Sequence, residues 1–305
     1  MHSSQSATSE PCDSGLYEAF FGLDRRPFQS APDPEFLYFT PAHEAALTML
    51  RFGLMADAPI TVLTGGIGTG KTTLLRRLLR EIPGDRRVAM IANIGGDSGD
   101  ILRWALMALG HECTPNAAPD ELYRQFRDLT LETCANGQRT VLIFDEAQNL
   151  DARALEELRM LSNLNADNAP ILQIVLAGQS QLRDLLDDPG MSQFSQRIAA
   201  DADLAALSLE ETAGYIHHRL AVAGATQDIF LPAAVALVHQ ATAGVPRLIN
   251  LLCDLTLLHA FADALPEVSE ATVQAVLSNA RRRGTFRLLH QSAASPALVA
   301  TPVTA

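Results

Sequence analysis

The chain has 305 residues, of which 48% are hydrophobic, and its 23 basic and 35 acidic side chains give a formal net charge of −12. This composition is typical of a folded globular protein, and the length allows one large domain with a smaller companion. It excludes a disordered or fibrous chain and a small scaffold stapled by disulfides or metal, and the negative charge disfavours extended wrapping of nucleic acid.

The basic residues comprise 22 arginines and a single lysine, Lys71. A codon bias towards arginine explains why lysine is scarce, but not why one lysine is kept at that position. The four cysteines form no CxxC pair, and no secretory signal pattern is recognised, so neither disulfides nor a zinc site is expected. The longest apolar run, LLCDLTLLHAFADAL, is too short to span a bilayer. A cytoplasmic protein is the default expectation, with attachment to the inner membrane through partners left open.

Along most of the chain, short apolar runs alternate with helical patterns. Strands are predicted near residues 60–64, 88–92, 141–145 and 171–177, with a weaker fifth strand near 202–207. This alternation is typical of βαβ units around a parallel sheet that is covered by helices on both faces.

After Leu207 the pattern becomes purely helical. Ser208 and Glu211 form a predicted capping box that opens a helix ending near Gly224. Further helices are predicted at about 232–242, 245–263 and 269–283. The predicted organisation is a flexible leader over 1–14, an α/β domain over 15–207, an all-helical module over 208–283 and a flexible tail over 284–305.

A glycine-rich loop joins the first predicted strand to a helix and matches the phosphate-binding pattern G-x-x-x-x-G-K-[ST]. Its glycines let backbone N–H groups curl around a phosphate chain, and the helix adds its positive N-terminal end. Lys71 is predicted to reach the β- and γ-phosphates, and the Thr72 hydroxyl to complete a Mg²⁺ shell. The predicted ATP-binding residues of the loop are Gly65, Gly66, Ile67, Gly68, Thr69, Gly70, Lys71, Thr72 and Thr73.

Two carboxylates, Asp145 and Glu146, follow the third predicted strand, VLIF. A buried parallel strand places such residues at the C-terminal edge of the sheet, where α/β folds bind their ligands. Asp145 is predicted to hold Mg²⁺ through water. Glu146 is predicted to orient and deprotonate the attacking water.

From Tyr17 to about Arg281 the chain resembles the ExeA/GspA-like AAA+ ATPases, with the TniB-type transposition ATPases as more distant relatives. The resemblance rests on the ordered blocks YEAFFGL, PDPEFLY, TGGIGTGKTTLLR, LIFDEAQNL, VLAGQSQL, QRI, YIHHRL and GVPRLIN. It implies an α/β P-loop NTPase fold of the AAA+ class, in which a parallel five-stranded sheet is sandwiched by helices. A small all-helical lid domain then follows, and ATP binds between the two.

The resemblance also implies roles for single residues. Gln179 is similar to the sensor-1 residue that contacts the γ-phosphate or the lytic water, and Arg197 to the arginine finger that reaches a neighbouring subunit's nucleotide. Arg247 is similar to sensor 2 of the lid, Asn93 to the polar residue that restrains the catalytic glutamate, and His43 to a residue that encloses the adenine. Simpler alternatives remain open: Arg197 as a surface arginine, Asn93 as a turn former and His43 as a packing residue.

The function implied is hydrolysis of ATP with Mg²⁺ by a homo-oligomer with a shared active site, which changes the conformation of a partner from secretion, polysaccharide or pilus machinery. Secretion members carry a membrane span and a wall-binding region that are not recognised here, so their peptidoglycan role is not expected. Family members often carry an acidic residue where this chain has Gly66. The alternative is an ATP-switched, DNA-binding adaptor of the TniB type, for which the negative charge makes DNA the less favoured partner.

Overall fold

The computed structural model describes residues 15–29, 34–92, 101–114, 117–166 and 169–283. The predicted leader, the predicted tail and Asn93 lie outside the described residues. The chain divides into two compact units, a sheet unit over Phe39–Leu207 and a helical unit formed by the described residues before Phe39 and after Leu207. The sheet unit is therefore continuous in sequence, whereas the helical unit is assembled from two separated segments.

The strands of the sheet unit are β1 (Ile60–Gly65), β2 (Arg86–Ile91), β3 (Arg139–Phe144), β4 (Asn165–Ala166), β5 (Ala169–Pro170), β6 (Leu172–Ala177) and β7 (Ile198–Leu204). Five of them form a central sheet with the order β2-β3-β6-β1-β7, in which every pair is parallel. A separate antiparallel pair of two residues each, β4 with β5, precedes β6. The predicted parallel sheet of five strands is thus confirmed.

Six of the helices in the described residues begin at recognisable signals. Proline occupies one of the first positions in four of them. Three are capped by side chains, those of Thr40, Asp151 and Ser208, and the helix that Thr40 caps also begins with proline. The helices are α1 (Glu18–Phe21), α2 (Pro41–Met55), α3 (Lys71–Glu81), α4 (Ile101–Ala108), α5 (Pro119–Ala135), α6 (Ala152–Leu161), α7 (Ser180–Leu186), α8 (Ser192–Ser195), α9 (Leu209–Val222), α10 (Pro232–Thr242), α11 (Pro246–Ala262) and α12 (Glu270–Arg283).

The sheet is buried on both faces, as a parallel sheet requires. Strand residues of one parity, such as Leu142 and Phe144, pack with α4 to α8, and those of the other, such as Val141 and Ile143, pack with α2 and α3. The central strands β1 and β6 are buried at every position, which agrees with their mostly apolar sequences, ITVLTG and LQIVLA. Two apolar layers therefore fix the sheet and leave its strand ends to carry polar side chains.

Strand β7 begins four residues earlier than the sequence predicts. It is an edge strand in which buried and accessible residues alternate, and Asp201 and Asp203 lie on the accessible side. Polar residues at every second position hide such a strand from a search for continuous apolar runs. The predicted range 202–207 therefore captured only its C-terminal half.

Helices α9 to α12 form the second part of the helical unit and match the predicted helices within a residue or two. The predicted capping box is confirmed: the Ser208 side chain accepts from the Glu211 backbone N–H, and the Glu211 side chain accepts from the Ser208 backbone N–H. A single parallel bridge joins Phe230 to Val268 between α9–α10 and α11–α12 loops. These contacts build a compact helical module without a sheet in the described residues.

The described residues between 15 and 38 pack with this module, whereas the sequence assigns them to the sheet domain. Arg219 of α9 donates to the backbone carbonyls of Pro27 at 2.5 Å and Gln29 at 3.3 Å, and Arg26 pairs with Asp254 of α11 at 2.6 Å. These partners lie roughly two hundred residues apart in sequence, so no local pattern predicts them. The helical unit therefore contains an N-terminal segment that the predicted boundary at residue 208 leaves out.

No helix in the described part of the chain combines the length and the apolar character that crossing a membrane requires.

Candidate nucleotide-binding site

The glycine-rich loop connects β1 to α3 at the C-terminal edge of the sheet. Gly70 has a φ of +107°, and a Cβ at this position would lie 3.2 Å from Nε2 of His43. A Cβ at Gly65 would lie 2.6 Å from the carbonyl oxygen of Leu204, which is closer than real Cβ contacts allow. The loop thus needs glycine at both ends, once for its backbone conformation and once for the approach of β7.

The ammonium group of Lys71 closes the loop from inside. Its Nζ donates to the carbonyl oxygens of Gly65 at 2.9 Å and Gly66 at 2.8 Å. Burial lowers the pKa of Lys71, and the negative charges of Glu146, Asp145 and Asp203 oppose that shift. Lys71 is therefore a buried cation whose charged form three carboxylates favour.

The first turn of α3 offers backbone N–H groups to an anion. Helix α3 begins at Lys71, and among the described residues no side chain caps its N-terminus. The free N–H groups and the helix dipole favour a negatively charged ligand at this end. The arrangement fits a phosphate group, as the loop sequence predicts.

Thr72 and Asp145 lie together at the mouth of the loop. The Thr72 hydroxyl donates to the Asp145 carboxylate at 2.6 Å, so β3 and α3 present a hydroxyl and a carboxylate side by side. Hard oxygen donors in small number suit Mg²⁺, which keeps several waters and binds phosphates as well. The described residues contain no cluster of three or more His, Cys, Asp or Glu that could hold an ion unaided. The donor set fits a Mg²⁺ that is shared with a phosphate ligand.

Glu146 is held by two glutamines. The backbone of Glu146 adopts a left-handed conformation, with φ 56° and ψ 38°, and its N–H donates to the Asp145 carboxylate at 3.0 Å. Oε2 of Glu146 accepts from the side-chain amides of Gln148 at 2.5 Å and Gln179 at 3.2 Å. The predicted sensor residue Gln179 is therefore in direct contact with the predicted catalytic base.

Two residues of this site were not predicted. Gln148 belongs to the block LIFDEAQNL, but nothing in the sequence indicates that its side chain turns back to Glu146. Asp203 accepts from the Thr64 hydroxyl at 2.8 Å and contributes to the negative potential around Lys71. The signal for Asp203 was the alternating pattern of β7, which places it at the same sheet edge as the loop.

Arg197 lies at the other edge of the sheet. It directly precedes β7, and the first residue of β7 pairs with Ile60 at the start of β1. The glycine-rich loop, in contrast, follows the end of β1. Six residues of strand separate the two edges, which is roughly 20 Å. Arg197 donates to Ser162 and Asn163 and is not brought together with Lys71.

The other predicted site residues occupy varied positions. Nδ1 of His43 is hydrogen-bonded to the Thr40 hydroxyl at 2.8 Å, and its ring packs beside Phe39. Thr69 is buried, Ile67 is exposed at the loop tip, and Thr73 follows Thr72 in α3. Arg247 is an exposed residue in the first turn of α11 in the helical unit. The predicted nucleotide contacts of His43 and Arg247 stay predictions.

Comparison with known proteins shows which proteins this chain is similar to. A family model described as an AAA domain matches residues 55–186. General secretion pathway protein A of Aeromonas hydrophila is 38% identical over 290 residues, covering 94% of this chain and 53% of that protein. The chain thus spans about half the length of this curated relative.

Solved structures agree on the fold. Drosophila ORC bound to DNA has a TM-score of 0.67 and 16% identity, covering 93% of this chain and 72% of that chain. CDC6P from Pyrobaculum aerophilum has a TM-score of 0.65 and 19% identity, covering 83% and 70%. At these identities the likeness concerns the fold alone. The family assignment rests on the AAA domain match and on the 38% identity to general secretion pathway protein A along 94% of this chain: the chain is a relative of the ExeA/GspA-like AAA+ proteins, as the motifs predict.

Proposed function

We propose that the chain binds ATP with Mg²⁺ at this site and hydrolyses it. The observation that carries the proposal is the hydrogen bond between Thr72 and Asp145 at 2.6 Å. It brings the two oxygen donors that the loop and strand sequences predict for Mg²⁺ together beside an uncapped helix N-terminus. A purely structural glycine turn has no need for this pairing.

The residues divide the chemical work between binding and proton transfer. The loop backbone and Lys71 bind the phosphate chain, and Thr72 and Asp145 hold Mg²⁺, which supplies charge neutralisation on the phosphate oxygens when bound. Glu146 accepts a proton from the attacking water, and Gln179 orients that water or the γ-phosphate. Positioning and charge stabilisation then account for most of the catalysis.

Arg197 is proposed to act on the nucleotide of a second subunit. Its place at the sheet edge opposite to its own phosphate loop supports this role, since about 20 Å is beyond the reach of an arginine side chain. A guanidinium placed on the γ-phosphate from a neighbouring subunit stabilises the charge of the transition state. The active unit is then a homo-oligomer in which each site uses residues of two copies.

The cycle of ATP binding and hydrolysis is proposed to change the conformation of a partner assembly of the secretion or exopolysaccharide type. Support comes from the similarity to general secretion pathway protein A along 94% of this chain. We would use Glu146→Gln with ATP bound as the bait protein in an affinity capture of this partner. Lys71→Ala, which we expect not to bind nucleotide, is the matched control bait. We expect components of such an assembly to be retained by the first bait only. Retention of DNA in their place, dependent on ATP and steeply on salt, would contradict this proposal.

The hydrolysis itself is tested with purified protein, ATP and Mg²⁺. We expect Lys71→Ala to lose both nucleotide binding and phosphate release, and Glu146→Gln to keep binding while turnover falls by roughly 100-fold or more. Glu132→Gln, an exposed carboxylate on α5, is the matched control and keeps normal turnover. A Lys71→Ala protein that releases phosphate as fast as the unmodified protein would overturn the assignment.

A further inference from the structure

The turn that carries Glu146 is stable without the side chain of Gln148. Within it, the backbone N–H of Asn149 donates to the carbonyl of Glu146 at 3.0 Å, and that of Leu150 donates to Ala147 at 3.1 Å. Ala147 and Leu150 are buried in the apolar core, which anchors the turn from below. The Gln148 side chain is therefore available for a task other than shaping the backbone.

Both ends of the Gln148 amide are engaged. Its Nε2 donates to Oε2 of Glu146 at 2.5 Å, and its Oε1 accepts from the backbone N–H of Gln179 at 2.9 Å. The opposite orientation of the amide would place an oxygen against the carboxylate and an N–H against an N–H, so the network itself fixes the orientation. Gln148 thus joins the turn after β3 to the start of α7.

The two loops are also in close backbone contact. A Cβ on Gly178, the residue between β6 and Gln179, would lie 3.1 Å from the backbone nitrogen of Gln148 and 2.8 Å from Leu182. Glycine at this position lets the loop after β6 approach the turn after β3. The contact makes the position of Gln148 sensitive to any movement of Gln179.

The hydrogen bond from Gln148 restrains the carboxylate that is proposed to activate water. Two amide donors converge on Oε2, one from Gln148 and one from Gln179, and hydrogen bonds to an ionised acceptor are the stronger and more directional kind. A side chain with three rotatable bonds is otherwise free to leave the orientation in which it meets water. Fixing one oxygen leaves the carboxylate a single orientation.

We propose that Gln148 is a positioning residue of the hydrolytic site, which fixes the Glu146 carboxylate through Oε2 and ties its orientation to the position of Gln179. This rests on the proposed ATP hydrolysis. When Gln179 moves in response to the γ-phosphate, the same glutamine transmits the movement to the base. In this role Gln148 neither takes a proton nor binds phosphate, so we expect its removal to affect turnover and not nucleotide binding.

The first test replaces the amide by an apolar group of similar size. We expect Gln148→Leu to lower kcat by roughly 10- to 100-fold, the scale of misplacing a catalytic group, while KM and the Kd for ATP change by no more than about twofold. Asn149→Leu, the exposed neighbour in the same turn, is the matched control and keeps normal kinetics. An unchanged kcat, or a Kd that rises in parallel with the loss of turnover, would overturn the proposal.

A second variant separates the two ends of the amide. Gln148→Glu keeps an acceptor for the Gln179 backbone N–H but replaces the donor by a second negative charge beside Glu146. Since the proposal depends on the donor, we expect turnover to fall at least as far as in Gln148→Leu. Normal turnover in Gln148→Glu would contradict it.

A double variant shows whether Gln148 acts through Glu146. In a Glu146→Gln background, single-turnover hydrolysis should change by less than about twofold when Gln148→Leu is added, because the group to be positioned is gone. An additional loss as large as that in the unmodified protein would overturn the proposal. Failure of the underlying function has a different signature, namely a Glu146→Gln protein as active as the unmodified one.

Discussion

Lys71 is the single lysine of a chain with 22 arginines, and it is 6% exposed beneath the loop that it closes. Its ammonium group meets two carbonyl oxygens, of Gly65 and Gly66, within 2.9 Å. A compact ammonium on a flexible stem fits this narrow position, whereas a planar guanidinium is wider and fixes its donors in a fork. The structure gives a steric reason why arginine has not replaced this lysine.

The exchange Lys71→Arg tests this reason. We expect nucleotide affinity to fall by about tenfold or more, because the guanidinium cannot lie within the loop without displacing its backbone. Titration with a fluorescent ATP analogue measures the change. The reverse exchange at an exposed position of the same helix, Arg76→Lys, serves as control and should leave affinity unaltered. Equal affinity for Lys71→Arg would mean that the retained lysine reflects chance.

The contact between Gln148 and Glu146 illustrates what a sequence does not contain at this scale. The pair is only two residues apart, yet it forms because Glu146 adopts a left-handed conformation that few residues other than glycine favour. Lys71, Thr72, Asp145 and Glu146 were predictable because a motif fixes their spacing. Gln148 was not, because its role depends on one backbone angle.

At the scale of elements, burial decides which parts were predictable. Strands β1, β3 and β6 are buried along almost their whole length, and a mostly apolar sequence identifies each. Edge strand β7 alternates with polar residues, so its start was misplaced. The described residues between 15 and 38 pack with the helical unit through contacts, such as Phe28 with Phe230, that connect distant parts of the chain and that no local pattern predicts.

Arg219 is the residue that fastens this segment to α9. It is 6% exposed, donates to Pro27 and Gln29, bonds the Tyr215 hydroxyl at 2.9 Å and lies over the ring of Phe36. We expect Arg219→Ala to destabilise the helical unit by about 3 kcal/mol, because it leaves two carbonyl groups without their charged donor.

The single tryptophan shows which of the two units loses stability in Arg219→Ala. Trp104 lies in α4 and packs against the core of the sheet unit, whereas circular dichroism reports on all helices. For Arg219→Ala we expect an early urea transition by circular dichroism with an unchanged midpoint for Trp104 fluorescence. Arg124→Ala, which breaks exposed ion pairs and one exposed hydrogen bond to the Asp120 carbonyl on α5, is the control and should cost less than about 1 kcal/mol. An unaltered transition for Arg219→Ala would contradict the assigned role.

At the scale of the whole molecule, the two edges of the sheet have different tasks. The C-terminal edge carries the phosphate loop, Asp145 and Glu146, and the N-terminal edge carries Arg197. In the proposed oligomer the sites are completed head to tail, because one copy offers the edge that the next copy needs. The positions of Lys71 and Arg197 at opposite edges of the sheet support this proposal.

Mixing two inactive proteins tests the shared site. Lys71→Ala lacks its own nucleotide but keeps Arg197, and Arg197→Ala keeps an intact loop but lacks the arginine. We expect the mixture to hydrolyse ATP faster than the sum of the separate proteins, because some sites combine an intact loop with an intact arginine. A mixture of Lys71→Ala with Glu146→Gln forms no such site and is the control. No recovery in the first mixture would argue against Arg197 acting between subunits.

The interrupted sequence of the helical unit has a consequence for how the protein is made. Arg219 meets Pro27 across 192 residues, and Tyr17 meets Asp254 across 237. At ribosomal rates of 5–20 residues per second, the N-terminal segment waits roughly 10 to 40 s before its partner helices emerge. During that interval Tyr17, Phe21 and Phe28, all buried in the finished protein, lack the partners that the later helices supply. The segment thus exposes apolar side chains on the nascent chain until the helices that carry Arg219 and Asp254 have emerged.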